Sequence, residues 1–266
     1  MAPLLLAAAV GLAIGLTLGA LGGGGSILAV PALVLLLGQD ATAATTTSLL
    51  VVGISSLVGM VPHARAGRVR VAQALVIGAL GTLGSFVGSR LSSAVDDAVL
   101  MTAFAALMAV VAVLMLRRTE SDGPVRGLGP IVTRRPFTIS WPRVGALLVL
   151  ASVIGLLTGF FGVGGGFLVV PALVLVLGFD MRVAVGTSLL VIAVNSATAL
   201  ASRAGGTGVE LDWALVLTFT GMTVLGTLAG GRVADRLPTQ RLNQAFAGLV
   251  LVVALVTAAT SVPDLL

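Results

Sequence analysis

The chain has 266 residues, of which 58% are hydrophobic and 9% charged, with no cysteine, a formal charge of +5 and a mean hydropathy of +1.16. Soluble domains carry about 25% charged residues, so this composition excludes one, and so weak a charge excludes a basic groove for nucleic acid. The missing cysteines exclude disulfides, thiolate metal sites and thiol nucleophiles.

Apolar runs of the roughly 17 to 25 residues that a bilayer demands predict helices over 4–21, 41–61, 71–88 and 98–116, with a shorter one over 27–37. The first run lacks the basic leader of a signal peptide and is read as a mature helix. Between it and the short helix stand Gly22, Gly23, Gly24, Gly25 and Ser26. Glycine costs roughly 1 kcal/mol per residue against alanine within a helix, so the helix should break there. Gly123, Pro124, Gly129, Pro130, Pro136 and Pro142 then mark residues 117–143 as a linking loop. Beyond it, helices are predicted over 144–161, 167–177, 183–201, 213–230 and 242–259. The chain thus divides into a first transmembrane repeat over 1–116, a linker over 117–143 and a second repeat over 144–266.

The repeat is literal. GGGGSILAVPALVLLLGQD, ending at Asp40, returns as GVGGGFLVVPALVLVLGFD, ending at Asp180, and Pro31 returns as Pro171, a period of 140 residues. Late in each half the period becomes 142, since Gly84, Gly88 and Arg90 match Gly226, Gly230 and Arg232; the two extra residues are placed within 205–208. The fold class is therefore an all-α membrane protein of two homologous halves with glycine-broken helices and 8–10 membrane segments.

Arginine placement gives orientation, because cytoplasmic loops carry the excess of positive charge. Arg117, Arg118, Arg126, Arg134, Arg135 and Arg143 put the linker inside, and Arg65, Arg68 and Arg70 fall inside as well. If 144–177 crosses out and back as a hairpin, Arg232, Arg236 and Arg241 also lie inside. Five segments per half make the halves inverted-topology repeats with both termini outside, an arrangement that permits alternating access. Four spans per half, related in parallel, is the competing count.

A broken backbone is tolerated in a bilayer only where protein buries it or a cavity lines it, and paired breaks in two halves point to a transporter's binding site. The first break runs through Gly22, Gly23, Gly24, Gly25 and Ser26, the second through Gly162, Gly164, Gly165 and Gly166. Helix N-termini carry about half a positive charge and bind anions, so two of them aimed at one point would cradle an anion without a buried arginine. The plainer reading is that small residues let helices pack closely. If the break instead cradles an anion, a methyl group at Gly165 should weaken transport far more than one at Gly78, which lies within a helix away from the break; equal losses would favour packing. Thr47 and Ser48, matched by Thr187 and Ser188, add hydroxyl donors, and Asn195 with Ser196 stands opposite Ser55 and Ser56. For these the plainer role is interhelical hydrogen bonding. His63, the only histidine, aligns with Arg203, and with Arg65 these are candidates for gating or attracting an anion, against the simpler reading of basic interfacial anchors. Asp40 and Asp180 read as helix N-caps. All Asp and Glu are assigned to loops or helix ends, so no intramembrane carboxylate of the proton- or sodium-coupled type is expected. No phosphate-binding loop and no catalytic or metal-binding set surrounds the histidine, so the chain reads as neither an enzyme nor a cofactor protein.

The duplicated GxGGxxxxP block, the segment from Gly186 to Leu189 with its degenerate copy from Thr46 to Leu49, and the GxxxG-R ends at Gly84 to Arg90 and Gly226 to Arg232 resemble the TauE/SafE family of sulfite exporters. The resemblance covers nearly the whole chain outside the linker. It implies a permease of the bacterial inner membrane that exports small sulfur-containing anions such as sulfite or sulfoacetate. Separately, the expected partners are the lipid bilayer and the anionic substrate, with a homodimer as an option. The alternative is a channel-like or membrane-scaffolding protein whose duplication serves packing alone.

Overall fold

The computed structural model describes residues 2–92, 95–117, 132–134, 137–139, 141–161, 166–203 and 212–261. Among these residues ten helices carry the fold: α1 (Ala2–Leu21), α2 (Gly24–Leu35), α3 (Ala41–Arg65), α4 (Val71–Ser92), α5 (Asp97–Arg117), α6 (Trp141–Phe161), α7 (Gly166–Leu175), α8 (Met181–Arg203), α9 (Trp213–Arg236) and α10 (Thr239–Ser261). Every helix expected from the sequence is present, and the class is all-α. Among the described residues seven helices are long and apolar enough to cross a membrane, while α2, α7 and the apolar stretch Leu147–Phe161 of α6 are shorter. The linker differs from the expectation of a plain loop. It carries an antiparallel hairpin of β1 (Val132–Arg134) and β2 (Phe137–Ile139), a stretch rich in the β-branched and aromatic residues that suit strands.

The short helices are built alike at their C-terminal ends. Gly38 and Gly178 adopt φ of +66° and +67°, the left-handed conformation that closes a helix at little cost only for glycine. Gln39 and Phe179 then donate their N–H groups back to the carbonyls of Leu33 and Leu173. Two residues beyond each glycine, an aspartate caps the next long helix: Asp40 accepts from the Thr42 N–H at 3.0 Å and Asp180 from that of Arg182 at 2.9 Å. The motif G-x-D thus turns α2 into α3 and α7 into α8.

Two helix pairs hold the bundle together, α1 with α9 and α4 with α6. Both use glycine for direct backbone contact, the packing that membranes favour where no water drives association. A Cβ at Gly11 would stand 2.9 Å from the Phe219 carbonyl oxygen, and Cβ atoms at Gly15 and Gly19 would strike the carbonyls of Thr223 and Thr227. In the other pair, Gly84 and Gly88 lie against Leu156 while Gly155 and Gly159 lie against Gly81 and Ser85. Numbers rise together along both pairs, so the partners run parallel. The pairing of α3 with α8 is different: Thr46 meets Arg203, Gly53 meets Ser196 and His63 meets Gly186, so these two run antiparallel. Near the other side of the bundle, Asn243 at the start of α10 donates to the Met115 carbonyl near the end of α5 at 2.9 Å, again antiparallel.

Phenylalanines fasten the short helices to the long ones. Phe104 of α5 stacks on Phe161 of α6 and Phe167 of α7 with centroids 5.3 and 5.5 Å apart. Gly24 of α2 faces Leu249 and Phe246 of α10.

Candidate functional site

The first break lies where glycine content placed it. The α-helical run ends at Leu21, Gly22 takes φ of +74°, and α2 begins at Gly24. Gly25 packs back on Ile14 and Leu18, so the chain reverses against its own first helix. Of the second break only Gly166, the first residue of α7, is described; Gly162, Gly164 and Gly165 lie outside the described residues.

The two breaks meet. A Cβ on Gly23 would be driven into the carbonyl of Gly166, and one on Gly166 would stand 2.7 Å from the Ser26 Oγ and 2.8 Å from the Ile192 side chain. Ile192 is the midpoint of α8, a helix of 23 residues, so the first turns of α2 and α7 converge level with the middle of a spanning helix. Gly22 faces Ser188, whose Oγ would lie 2.6 Å from an added Cβ. Gly22, Gly23, Gly24, Gly25 and Gly166 are all buried. Ser26 and Ser188 donate their hydroxyls within their own segments, to the Gly23 carbonyl at 2.6 Å and the Val185 carbonyl at 2.9 Å. That leaves their oxygen lone pairs, rather than their protons, free toward the junction.

Thr47 and Ser48 lie on the buried face of α3, and the Thr47 Oγ1 has no hydrogen-bond partner. Thr187 accepts the Arg70 N–H at 3.2 Å. Asn195 is partly buried against α4, beside Gly78 and Gly81, with its Oδ1 unpartnered. Gly78 is therefore no bystander glycine: a methyl there would meet Val194 at 3.0 Å and approach the Asn195 amide oxygen at 3.6 Å. Its helical setting hid a contact that only the packing of α4 on α8 creates.

The three basic candidates separate. His63 is 5% exposed, packed over Gly186 with its Nδ1 unpartnered. Arg203 lies at the opposite end of the α3–α8 pair, donating to the Thr46 Oγ1 at 3.3 Å. Arg65 is exposed. Near His63 the halves are also tied by an ion pair between Arg68 and Asp235, and Arg182 donates to the Leu237 carbonyl at 2.9 Å.

Sequence reasoning did not single out Thr223 and Thr227, buried in α9 between the α1 glycines and Gly59. Both donate to the carbonyl four residues back, at 2.7 Å, and their spacing of four behind the matching α1 glycines was the available signal. No aspartate, glutamate or arginine is among the buried residues described; the buried polar groups are hydroxyls, Asn243 and His63.

The family model described as sulfite exporter TauE/SafE matches residues 7–257. A probable membrane transporter protein of Xylella fastidiosa (strain Temecula1 / ATCC 700964) is 34% identical over 91% of this chain and 90% of its own. The probable membrane transporter proteins YdhB and YunE of Bacillus subtilis (strain 168) are 27% and 29% identical, over 87% and 86% of this chain and 91% and 84% of theirs. No solved structure matches the chain. With seven long apolar helices among its described residues and a family match over almost its whole length, this chain is a multi-pass membrane transporter belonging to the TauE/SafE family.

Proposed function

We propose that the chain exports small sulfur-containing oxyanions, such as sulfite or sulfoacetate, across a bacterial cell membrane, and that the anion binds at the junction of the two glycine breaks. The observation that carries this reading is the convergence of the first turns of α2 and α7, through Gly23 and Gly166, level with the middle of α8. Helix N-termini favour negative charge, and the described core offers no buried carboxylate to repel it. Gly22 to Ser26, Gly162 to Gly166, Thr47, Ser48, Thr187, Ser188 and Asn195 form the site in this reading; Ser26 and Ser188 donate to the anion only once their hydroxyls rotate away from the Gly23 and Val185 carbonyls they bond here. The substrate class and the outward direction follow the family's description. The close approach of Gly23 to Gly166 leaves no room for a ligand between these two residues, so transport requires the halves to part there.

The antiparallel run of α3 against α8, helices that the 140-residue period makes equivalents, supports inverted-topology repeats. A parallel duplication would bring these two together pointing the same way. Inversion makes the two access states near-equivalents of each other, which suits a rocking carrier. In proteoliposomes of purified protein, saturable sulfite flux supports the carrier, a flux linear in concentration supports a channel, and a rate equal to that of empty vesicles rejects both.

A further inference from the structure

Between α3 and α8 a groove of about 380 Å³ opens sideways, and no polar side chain lines it. Leu50, Gly53 and Leu57 of α3 line it together with Leu190, Ala193 and Ala197 of α8. Each of the three on α8 is the repeat, 140 residues on, of one of the three on α3. The groove therefore lies on the seam where the two halves cross, beside the close approach of Gly53 to Ser196. It is separate from the glycine junction: Ser188 and Ile192, which meet Gly22 and Gly166, stand on the opposite side of α8 by the 3.6-residue turn. Ile54, Leu57 and Ala197 are exposed along the groove, so it is open to whatever surrounds the bundle.

Its depth and its ends are unequal. Leu190 lies next to the midpoint of α8 and Leu200, which also lines the groove, stands one turn from the end of that helix. Ten residues at 1.5 Å each span about 15 Å, half of the roughly 30 Å hydrocarbon core and so the depth of one leaflet. The midplane end is wholly apolar. At the other end, Thr46 shares the groove face of α3, four, seven and eleven residues before Leu50, Gly53 and Leu57. Arg203 donates to the Thr46 Oγ1 at 3.3 Å, which holds its guanidinium at the mouth of the groove, where lipid headgroups begin.

We propose that this groove binds one acyl chain of an anionic phospholipid, drawn from the leaflet on the Arg203 side, with the lipid phosphate against Arg203. The length of the groove matches a chain that runs from the interface to the midplane, its lining matches hydrocarbon, and the charge at its mouth is complementary to the phosphate. A chain lying there touches a helix on either side, and gains dispersion contacts that a chain on a single helix face does not. It also packs against both halves at once, so it stabilises the arrangement of α3 and α8 seen here against one in which they have moved apart. The proposal needs no assumption about what the chain transports.

The test uses full-length protein in detergent, stripped of co-purified lipid, titrated with phosphatidylglycerol or phosphatidylcholine and read by native mass spectrometry. Wild type should bind one phosphatidylglycerol saturably and more tightly than phosphatidylcholine. Ala197→Phe puts a ring into the groove from an exposed position and should abolish that site, while Leu225→Phe, on the exposed face of α9, should keep it. Arg203→Gln should weaken phosphatidylglycerol binding roughly fivefold, the scale of one arginine against an anionic lipid. In vesicles, a phosphatidylglycerol with a diazirine near the end of one chain should label residues 53–57 or 190–194 of wild type, a readout that decides the matter even if Ala197→Phe does not fold. Absence of a saturable site in wild type, wild-type binding by Ala197→Phe, or label elsewhere or spread over the exposed faces of α4, α9 and α10 overturns the lipid groove. Unchanged affinity in Arg203→Gln overturns the placement of the phosphate. A lipid-free dimer that Ala197→Phe separates into monomers overturns the proposal in favour of a second copy of the chain on this face.

Discussion

Gly23 and Gly248 show how little a glycine's identity says apart from its surroundings. Gly23 faces the Gly166 carbonyl across the junction, whereas a Cβ on Gly248 in α10 meets nothing within 4 Å. Forcing a methyl into packed backbone costs typically 1–3 kcal/mol; adding one in open space on a helix gains up to roughly 1 kcal/mol of helix propensity. Gly23→Ala should therefore lower the thermal midpoint in detergent by several degrees and reduce folded protein in the membrane, while Gly248→Ala leaves the midpoint unchanged or raises it. Equal midpoints for the two variants would remove the tight junction from the account. Gly78 belongs with the first kind, through Val194 and Asn195.

Elements in this bundle are shaped at their ends as much as along their faces. The short helices contain Pro31 and Pro171, which withdraw an intrahelical hydrogen bond each, and both stop at a left-handed glycine two residues before a capping aspartate. The cap decides where α3 and α8 begin, and hence the phase at which Thr47 and Thr187 point inward. Replacing an N-cap aspartate with alanine costs typically about 1 kcal/mol. Asp40→Ala should show a loss of that size in the thermal midpoint. Asp180→Ala should lose somewhat more, because the Asp180 carboxylate also receives the Thr239 hydroxyl of α10 at 3.5 Å. A midpoint unchanged in both variants would show that tertiary packing alone fixes the starts of these helices.

For the whole molecule, the direction of each helix is the decisive quantity. With α1 parallel to α9, α4 parallel to α6, and α3 and α5 antiparallel to their equivalents α8 and α10, every pairing agrees with five segments per half and opposite orientation of the halves. On the proposed reading, the arginines of the linker place it on the cytoplasmic side. Reporter fusions at residue 126 and after the last residue should place the linker in the cytoplasm and the C-terminus outside. Finding both in the cytoplasm would contradict inversion.

The sequence by itself determined the elements. Apolar length fixed the long helices, the glycine cluster from Gly22 to Gly25 fixed the break, G-x-D fixed the turns at Asp40 and Asp180, and the written-out repeat predicted two comparable halves, because each of these depends on interactions within a few residues or on the bilayer's thickness. It also marked Thr47, Ser48, Thr187, Ser188 and Asn195 as polar groups needing a reason to be buried. Only the tertiary structure decided which of them has a partner. Ser188 turns its proton back to Val185, Thr187 takes an N–H from Arg70, and Thr47, Ser55 and Ser56 find nothing. A hydroxyl reads the same in a sequence whether its helix or a ligand satisfies it, since the difference lies in a side-chain rotation and in what another helix, more than a hundred residues away, brings within 3 Å.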